Sequence, residues 1–145
     1  MEEDIKVSVV CVVYNHEKYL RRCLDGIIMQ KTNFKFEIIV HDDLSTDNSR
    51  QIIEEYASKY PSLIKPMYEE ENQYSKGKDI ANLAIKNAKG KYIAICEGDD
   101  YWIDEKKLQI QYDYMEKHKE CSMCVHNTIK NDNVKNKNNI KFNNF

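Results

Sequence analysis

The sequence repeats one unit, in which an almost uninterrupted apolar run is followed by apolar residues at helical spacing. The first run is VSVVCVV, residues 7–13, and the second lies within FEIIVHDD, residues 36–43. Strands that are apolar on both sides are typical of parallel sheets, because the crossover helices that join parallel strands cover both faces. We therefore predict an α/β fold with an open, mainly parallel sheet and helices on both faces.

The same patterns assign five strands and four helices along the chain. The predicted helices lie within residues 14–30, 45–61, 79–88 and 104–118. The predicted strands are residues 7–13, 36–43, 63–68, 91–96 and 121–127. Asn15 is a predicted cap of the first helix, and Gly90 is a predicted C-terminal glycine of the third. Pro66 weakens the prediction of the third strand, since proline cannot donate a ladder hydrogen bond.

Length and composition predict one domain followed by a tail. The chain has 145 residues, of which 41% are hydrophobic, and this is enough for a single core. From residue 130 the sequence is mostly Asn and Lys with isolated apolar residues, from which no core can be built. The predicted organisation is a domain at residues 1–129 and an Asn/Lys-rich tail at residues 130–145.

Charge, cysteine content and the first residues favour a soluble cytoplasmic protein. With 22 basic and 24 acidic residues, the net charge of −2 gives no overall field for nucleic acid or an anionic membrane. The start MEED lacks the basic region of a signal peptide, and VSVVCVV is too short to span a bilayer. Five cysteines, an odd number with three in apolar segments, indicate reduced thiols packed as small apolar side chains.

The stretch YIAICEGDDYW, residues 92–102, places three carboxylates at the end of a predicted strand. These are Glu97, Asp99 and Asp100. Burying an unpaired carboxylate costs several kcal/mol, so such a cluster indicates a compensating positive charge, for which a metal ion is the obvious candidate. In an open parallel sheet, polar groups after neighbouring strands face one crevice, where ligands bind. Similar groups follow the first two predicted strands: Tyr14 with Asn15, and His41-Asp42-Asp43.

The positions of the glycines exclude two common ways of binding phosphate in such a crevice. The four glycines, at positions 26, 77, 90 and 98, form neither a dinucleotide-binding fingerprint nor a P-loop. The remaining chemistry is a divalent cation that is held by carboxylates and bridges a diphosphate.

Four segments together resemble the nucleotide-binding part of family 2 glycosyltransferases. They are VSVVCVVYNHEKYL, EIIVHDDLSTDNSRQII, NLAIKNAKGKYIAICEGDD and YWIDEKKLQIQ. The resemblance covers about residues 5–127, and the order and spacing of the four segments match the family. It implies the GT-A fold, which is Rossmann-like, and an enzyme that transfers sugar from a UDP-sugar to a saccharide acceptor with inversion. EGDDYW is similar to forms found in enzymes that build surface polysaccharides.

The resemblance also implies roles for individual residues. Tyr14 would pack on the nucleobase while the backbone near Val13 contacts it, and Asp43 would accept a hydrogen bond from the ring NH of uracil. Asp99 would lie near the ribose and diphosphate, and Asp100 would bind Mn²⁺ or Mg²⁺, with Asp99 sharing the metal. The remaining members of the implied substrate-binding set are Asn15, Glu17, Lys78 and Glu97.

Three departures from the family pattern qualify these roles. Glu97 replaces the aspartate common at the start of the D-x-D motif, and Ala81 replaces a frequent arginine. Lys78 or Lys76 is then the candidate cation for the diphosphate. In the family the acceptor site and the general base come from a later part of the chain. The resemblance therefore implies that residues 1–145 bind the donor sugar nucleotide and that the catalytic base lies beyond them. Association with a membrane surface or a partner chain stays open.

Other interpretations of the same residues stay open at this point. The acids at 97–100 could form a solvated loop, Asp42 and residues 45–47 could cap the following helix, and Tyr14 could simply cover the sheet end. His118, Cys121, Cys124 and His126 have spacing compatible with a zinc site. Two alternative functions are a non-catalytic nucleotide-binding domain and a receiver-like phosphoryl-accepting domain.

Overall fold

The computed structural model describes residues 4–130 of the chain. Residues up to Tyr112 belong to one compact unit, and Asp113 begins a second. The predicted tail lies outside the described residues except for Lys130. Among residues 4–130, no helix has the length and apolar content needed to cross a bilayer.

Strands and helices alternate along the described chain. The strands are β1 (Ile5–Val13), β2 (Lys35–Asp42), β3 (Ile64–Tyr68) and β4 (Tyr92–Ile95). The helices are α1 (Leu20–Ile28), α2 (Ser49–Lys59), α3 (Ile80–Ile85) and α4 (Lys107–Lys117), and a short 3₁₀ turn spans Tyr74–Lys76. The first four predicted strands and all four predicted helices are confirmed, with ends that differ by a few residues.

The four strands form one parallel sheet in the order β3-β2-β1-β4. The chain moves outward from β1 to β3 and then crosses back to place β4 on the other side of β1. This reversal makes the carboxyl ends of β1 and β4 a topological switch point, where open α/β sheets bind ligands. β3 is an edge strand, which explains why it tolerates Pro66.

The two faces of the sheet carry different clusters of apolar side chains. One face of β1 and β2 packs with α1, α2 and Leu108 in the main core, which also includes the buried thiols of Cys11, Cys23 and Cys96. The opposite face carries a smaller cluster, in which Val10 and Ile39 pack with Ala84 of α3. The prediction of helices on both faces is therefore confirmed, and three cysteines pack as small apolar side chains.

Three local predictions were wrong. Asn15 does not cap α1, which begins at Leu20 with no side-chain cap. Gly90 is not a helix C-terminal glycine, since α3 already ends at Ile85; a Cβ at Gly90 would lie 2.4 Å from the Ser8 backbone nitrogen, so glycine is needed for close approach to β1. Residues 121–127 contain no strand.

A buried carboxylate connects the sheet to the turn before β4. Glu37 is 2% exposed, and its Oε1 accepts hydrogen bonds from Ser8 Oγ at 2.6 Å and from the Lys89 N–H at 2.8 Å. Ser8 Oγ in turn accepts from the Gly90 N–H at 2.8 Å. These contacts fix the entry of the chain into β4.

Replacing Glu37 with alanine is expected to lower the free energy of unfolding by about 2 to 4 kcal/mol, because the buried Ser8 hydroxyl and the half-buried Lys89 N–H lose their acceptor. Urea denaturation measures this change. Glu37→Gln is the matched control, and it should cost less because its amide oxygen can still accept. Alanine and wild-type proteins of equal stability would contradict the structural role of Glu37.

Candidate functional site

The turn after β1 and the loop after β2 are joined by reciprocal hydrogen bonds. Asn15, whose φ is 56°, accepts at Oδ1 from the Thr46 N–H at 2.7 Å and the Asp47 N–H at 3.3 Å. The Asn15 N–H donates to Ser45 Oγ at 3.0 Å, and the Glu17 N–H donates to Asp47 Oδ2 at 3.0 Å. The structure therefore brings together the YN turn and the S-x-D segment, two motifs separated by about thirty positions.

Asp47 is the central acceptor of this pair of loops. Burial by itself raises the pKa of the Asp47 carboxyl group, but hydrogen bonds from the Ser49 side chain and from backbone N–H groups outweigh burial and lower that pKa below its ordinary value. Because the folded-state pKa is depressed, this contribution to stability is complete above the ordinary pKa and is lost as pH falls through the lowered one. The contact between the loops is therefore intact at neutral pH.

Glu17 and Tyr14 have different surroundings within the same turn. Glu17 Oε2 accepts from the backbone N–H and the side-chain amide of Asn48, each at 2.9 Å. Tyr14 is 47% exposed and follows Val13, whose carbonyl accepts from the Asp43 N–H at 2.9 Å. Tyr14 thus stands at the carboxyl edge of the sheet with an accessible ring.

The Asp43 carboxylate holds the segment that follows β3. Asp43 is 2% exposed, and its two oxygens accept from the Gln73 N–H at 2.7 Å and the Tyr74 N–H at 3.0 Å. Gln73 Oε1 accepts from Lys78 Nζ at 2.6 Å. Lys78 is therefore connected to Asp43 through one residue. Asp43 has a clear structural role here, and its predicted contact with a base must use the remaining lone pairs of the same oxygens.

The acidic loop lies against the end of β1. The Gly98 N–H donates to the Val12 carbonyl at 3.0 Å, and the Asp100 N–H closes a turn onto the Glu97 carbonyl at 2.9 Å. Glu97, Asp99 and Asp100 are exposed, whereas Gly98 is buried. The loop therefore presents its carboxylates to solvent beside the YN turn, at the switch point of the sheet.

The residues that follow the acidic loop pack against helix α1. The Arg22 guanidinium lies 3.7 Å from the centroid of the Tyr101 ring. Trp102 is buried, and a Cβ at Gly26 would lie 2.6 Å from its carbonyl oxygen. Helix α1 therefore supports the segment that follows the acids.

His16 packs directly on the glycine of the acidic loop. A Cβ at Gly98 would lie 2.6 Å from His16 Nδ1 and 3.1 Å from Val13 Cγ2. His16 Nδ1 is buried without a hydrogen-bond partner among the described residues. His16 was not among the predicted site residues, and its sequence signal is limited to its place between Asn15 and Glu17.

The substitution Gly98→Ala is expected to displace His16 or the acidic loop, because the new Cβ cannot fit at 2.6 Å from a ring nitrogen. For the UDP and Mn²⁺ binding that the family resemblance implies, we expect affinity to fall about tenfold, a change of about 1.4 kcal/mol, as measured by calorimetry. The double variant His16→Ala/Gly98→Ala removes the steric conflict and should recover part of the affinity. A double variant no better than Gly98→Ala would contradict this packing role.

The donor set at the acidic loop suits a cation that takes few protein ligands. Mg²⁺ and Mn²⁺ are hard cations that prefer oxygen, and Mg²⁺ is commonly bound by one or two carboxylates together with substrate phosphates. Within residues 4–130, no three His, Cys, Asp or Glu side chains form a group that could hold a metal ion by themselves. The exposed carboxylates of Asp99 and Asp100 fit a cation completed by a diphosphate, but not a cage made of protein ligands alone.

The zinc interpretation of residues 118–126 is wrong. All four candidate ligands lie in the second unit, where His118 Nδ1 contacts Glu120 Oε1 at 3.0 Å and His126 Nδ1 lies 3.0 Å from the Asn127 carbonyl. Within residues 4–130, these four side chains do not come together as a group of three or more that could hold a metal ion.

Comparisons with known proteins agree on one family. The sequence profile of glycosyl transferase family 2 matches residues 8–145. The chain is 43% identical over 122 residues to the uncharacterized protein Rv1520 of Mycobacterium tuberculosis. The matched residues make up 83% of this chain and 34% of that protein. It is 33% identical over 115 residues to the poly(ribitol-phosphate) beta-N-acetylglucosaminyltransferase TarS of Staphylococcus aureus, covering 79% of this chain and 19% of TarS. The chain thus spans about a third or less of the length of these relatives.

Two solved structures share the fold. The crystal structure of Staphylococcus aureus TarS 1-349 in complex with UDP matches with a TM-score of 0.67 and 33% identity, over 79% of this chain and 33% of that one. The mannosyltransferase PcManGT of Pyrobaculum calidifontis, in complex with GDP-Man and Mn²⁺, matches with a TM-score of 0.66 over 79% of this chain and 36% of that one. At 24% identity the second match supports the fold alone.

These matches confirm the predicted GT-A architecture and the predicted resemblance. Membership of this family also overturns the receiver-like alternative. The profile covers 138 of the 145 residues, counted from position 8 to position 145. The chain therefore belongs to glycosyl transferase family 2.

Proposed function

We propose that this chain binds a nucleotide-diphosphate sugar, and specifically a UDP-sugar, at the carboxyl edge of its sheet, as the donor part of an inverting glycosyltransferase. The observation that carries the proposal is that three polar groups follow three neighbouring strands at one edge of the sheet: the exposed ring of Tyr14 after β1, the Asp43 carboxylate after β2 and the acids at 97–100 after β4. The relative TarS, which shares the fold at 33% identity, has been solved in complex with UDP and with UDP-GlcNAc.

In the proposed complex each of these residues contacts the nucleotide sugar or holds a group that does. The base packs on Tyr14, the backbone near Val13 contacts it, and Asp43 accepts from the ring NH of uracil. Asn15 and Glu17 hold the turn that carries Tyr14, Glu97 and Asp99 lie on the ribose and diphosphate side, and Lys78 faces the diphosphate.

Asp100, with Asp99 sharing, would hold Mn²⁺ or Mg²⁺. Such a cation neutralises charge that develops on a departing diphosphate. The chain's own contribution is to present these carboxylates from a loop held by Gly98 and supported by α1.

The proposed reaction is a displacement at the anomeric carbon. An acceptor hydroxyl forms the new C–O bond as the bond to the diphosphate oxygen breaks, and the hydroxyl proton passes to a general base. No residue among those described is assigned as that base. The acceptor is proposed to be a saccharide, as in the synthesis of surface polysaccharides, and the reaction is proposed to occur in the cytoplasm.

Calorimetric titration of UDP, GDP and CDP, each with and without Mn²⁺, tests the proposal. We expect UDP to bind most tightly and its affinity to depend on Mn²⁺. Equal, metal-independent binding of all three, or no binding of any, would overturn it.

A further inference from the structure

Asp43 holds the segment that follows β3 with both its backbone carbonyl and its side-chain carboxylate. The Asp43 carboxylate accepts from the N–H groups of Gln73 and Tyr74, and the Asp43 carbonyl accepts from Asn72 Nδ2 at 3.0 Å. Asn72 Oδ1 also accepts from the Ser75 N–H at 2.8 Å. Residues 72–75 therefore form a platform whose position depends on the residue proposed to read the base.

A closed turn holds the orientation of this platform. The Gly77 N–H donates to the Tyr74 carbonyl at 2.9 Å, and Gly77 has a φ of 73°, a conformation that glycine adopts without strain. Gln73 is 8% exposed and accepts from Lys78 across the turn. The backbone at position 74 is thus held by hydrogen bonds on both sides.

Tyr74 is nevertheless 76% exposed, the largest exposed fraction among the exposed large apolar side chains of residues 4–130. Leaving an aromatic ring in water forgoes the free energy of its burial. An exposed ring on a constrained backbone is suited to stacking on a planar ligand, since little backbone conformational entropy remains to be lost.

The shared carboxylate places Tyr74 next to the base. Tyr74 N lies 3.0 Å from Asp43 Oδ2. A base nitrogen that donates to the same carboxylate oxygen would sit about 2.9 Å from it, so this nitrogen and Tyr74 N would be at most about 6 Å apart. Tyr14 also begins near Asp43, because the carbonyl of the preceding Val13 accepts from the Asp43 N–H at 2.9 Å.

We propose that Tyr74 forms a second aromatic wall of the nucleobase site, stacking on the base together with Tyr14. This inference rests on the proposed function and adds a residue to its base site. Stacking of a base on an aromatic side chain tolerates every base, because each base has a π-face. Tyr74 therefore contributes affinity, and the choice among bases stays with Asp43.

The test compares Tyr74→Ala and Tyr74→Phe with wild type, using UDP and inorganic pyrophosphate as probes, both with Mn²⁺. We expect Tyr74→Ala to weaken UDP binding about tenfold. Tyr74→Phe, which keeps the ring, should bind UDP within about twofold of wild type. Pyrophosphate, which has no base, should bind all three proteins equally. Tyr114→Ala, which removes a ring that is 46% exposed in the second unit, is the control and should bind UDP as wild type does.

Two outcomes would overturn the inference while leaving the proposed function standing. One is a Tyr74→Ala variant that binds UDP as wild type does, while Tyr14→Ala binds it weakly. The other is an equal loss of UDP and pyrophosphate, which would mean that position 74 acts through the turn and Lys78. Failure of wild type itself to bind UDP would instead remove the proposed function, and the inference with it.

Discussion

Asp100→Asn is expected to remove the Mn²⁺-dependent part of UDP binding, a loss of at least about 100-fold. Changes to groups that merely orient metal ligands cost about 10- to 100-fold in metal affinity, so loss of a direct ligand should cost at least as much. Without a bound cation, the diphosphate would also meet the negative charges of Glu97 and Asp99. Asp100 is exposed, so the substitution should leave the fold intact.

Calorimetry with Mn²⁺ and with a chelator measures this loss, and thermal unfolding checks the fold. Asp113→Asn is the matched control, because it removes one exposed carboxylate from α4 and lies in the second unit. If Asp100→Asn kept wild-type affinity for UDP with Mn²⁺, the metal assignment would have to be abandoned. Asp99→Asn is expected to give a smaller loss, as suits a shared ligand.

Asp43→Asn is expected to change which base is preferred. A carboxylate accepts from the ring NH of uracil but meets no donor at the corresponding nitrogen of cytosine, so wild type should favour UDP over CDP by about 1 to 3 kcal/mol. An asparagine amide can either accept or donate. The variant should therefore bind UDP and CDP within about threefold of each other, an energy difference of less than about 0.7 kcal/mol.

The ratio of the two affinities separates two roles of Asp43. Its carboxylate also holds residues 73 and 74, and loosening that platform would weaken both nucleotides by the same factor. Only a direct contact with the base changes the ratio. An Asp43→Asn variant that is weaker for both nucleotides, with the UDP preference kept, would show that Asp43 acts by holding the platform alone.

The sheet could be predicted from sequence because its signal is local. Residues 7–13, and the run within residues 36–43, are almost uninterrupted apolar stretches, and such runs have few alternatives to a covered parallel strand. The acids at 97–100 could also be placed at a strand end from sequence, since an apolar run leads directly into them.

The contacts that build the site could not be predicted in the same way. Asn15 could be read as a helix cap because its neighbours have helical spacing, but its side chain instead binds the backbone at 46 and 47. The partners of Asp43 at 73 and 74 are likewise distant in sequence, and nothing local in HDD indicates them. Pairings of this kind depend on the order of strands in the sheet, which is known only once the chain has folded.

Two errors have a different physical origin. Residues 121–127 contain apolar side chains, but a strand also needs a neighbouring strand with which to form hydrogen bonds. The local apolar pattern does not indicate whether such a neighbour is present. Gly90 follows a helical pattern and therefore resembled a C-terminal cap. Its absent side chain instead serves the close approach to Ser8, a contact over eighty positions away.

The central claim is that metal and nucleotide bind together at the carboxyl edge of β1 and β4. Paramagnetic broadening of backbone amide resonances by Mn²⁺ in the presence of UDP tests it most directly, because broadening depends on distance from the bound ion. We predict the strongest broadening at residues 98–101, weaker broadening at residues 14–17, and none at the C-terminal end of α2 near Lys59. Broadening centred on another acidic segment, such as Glu69 to Glu71, or no broadening that depends on UDP, would contradict the account.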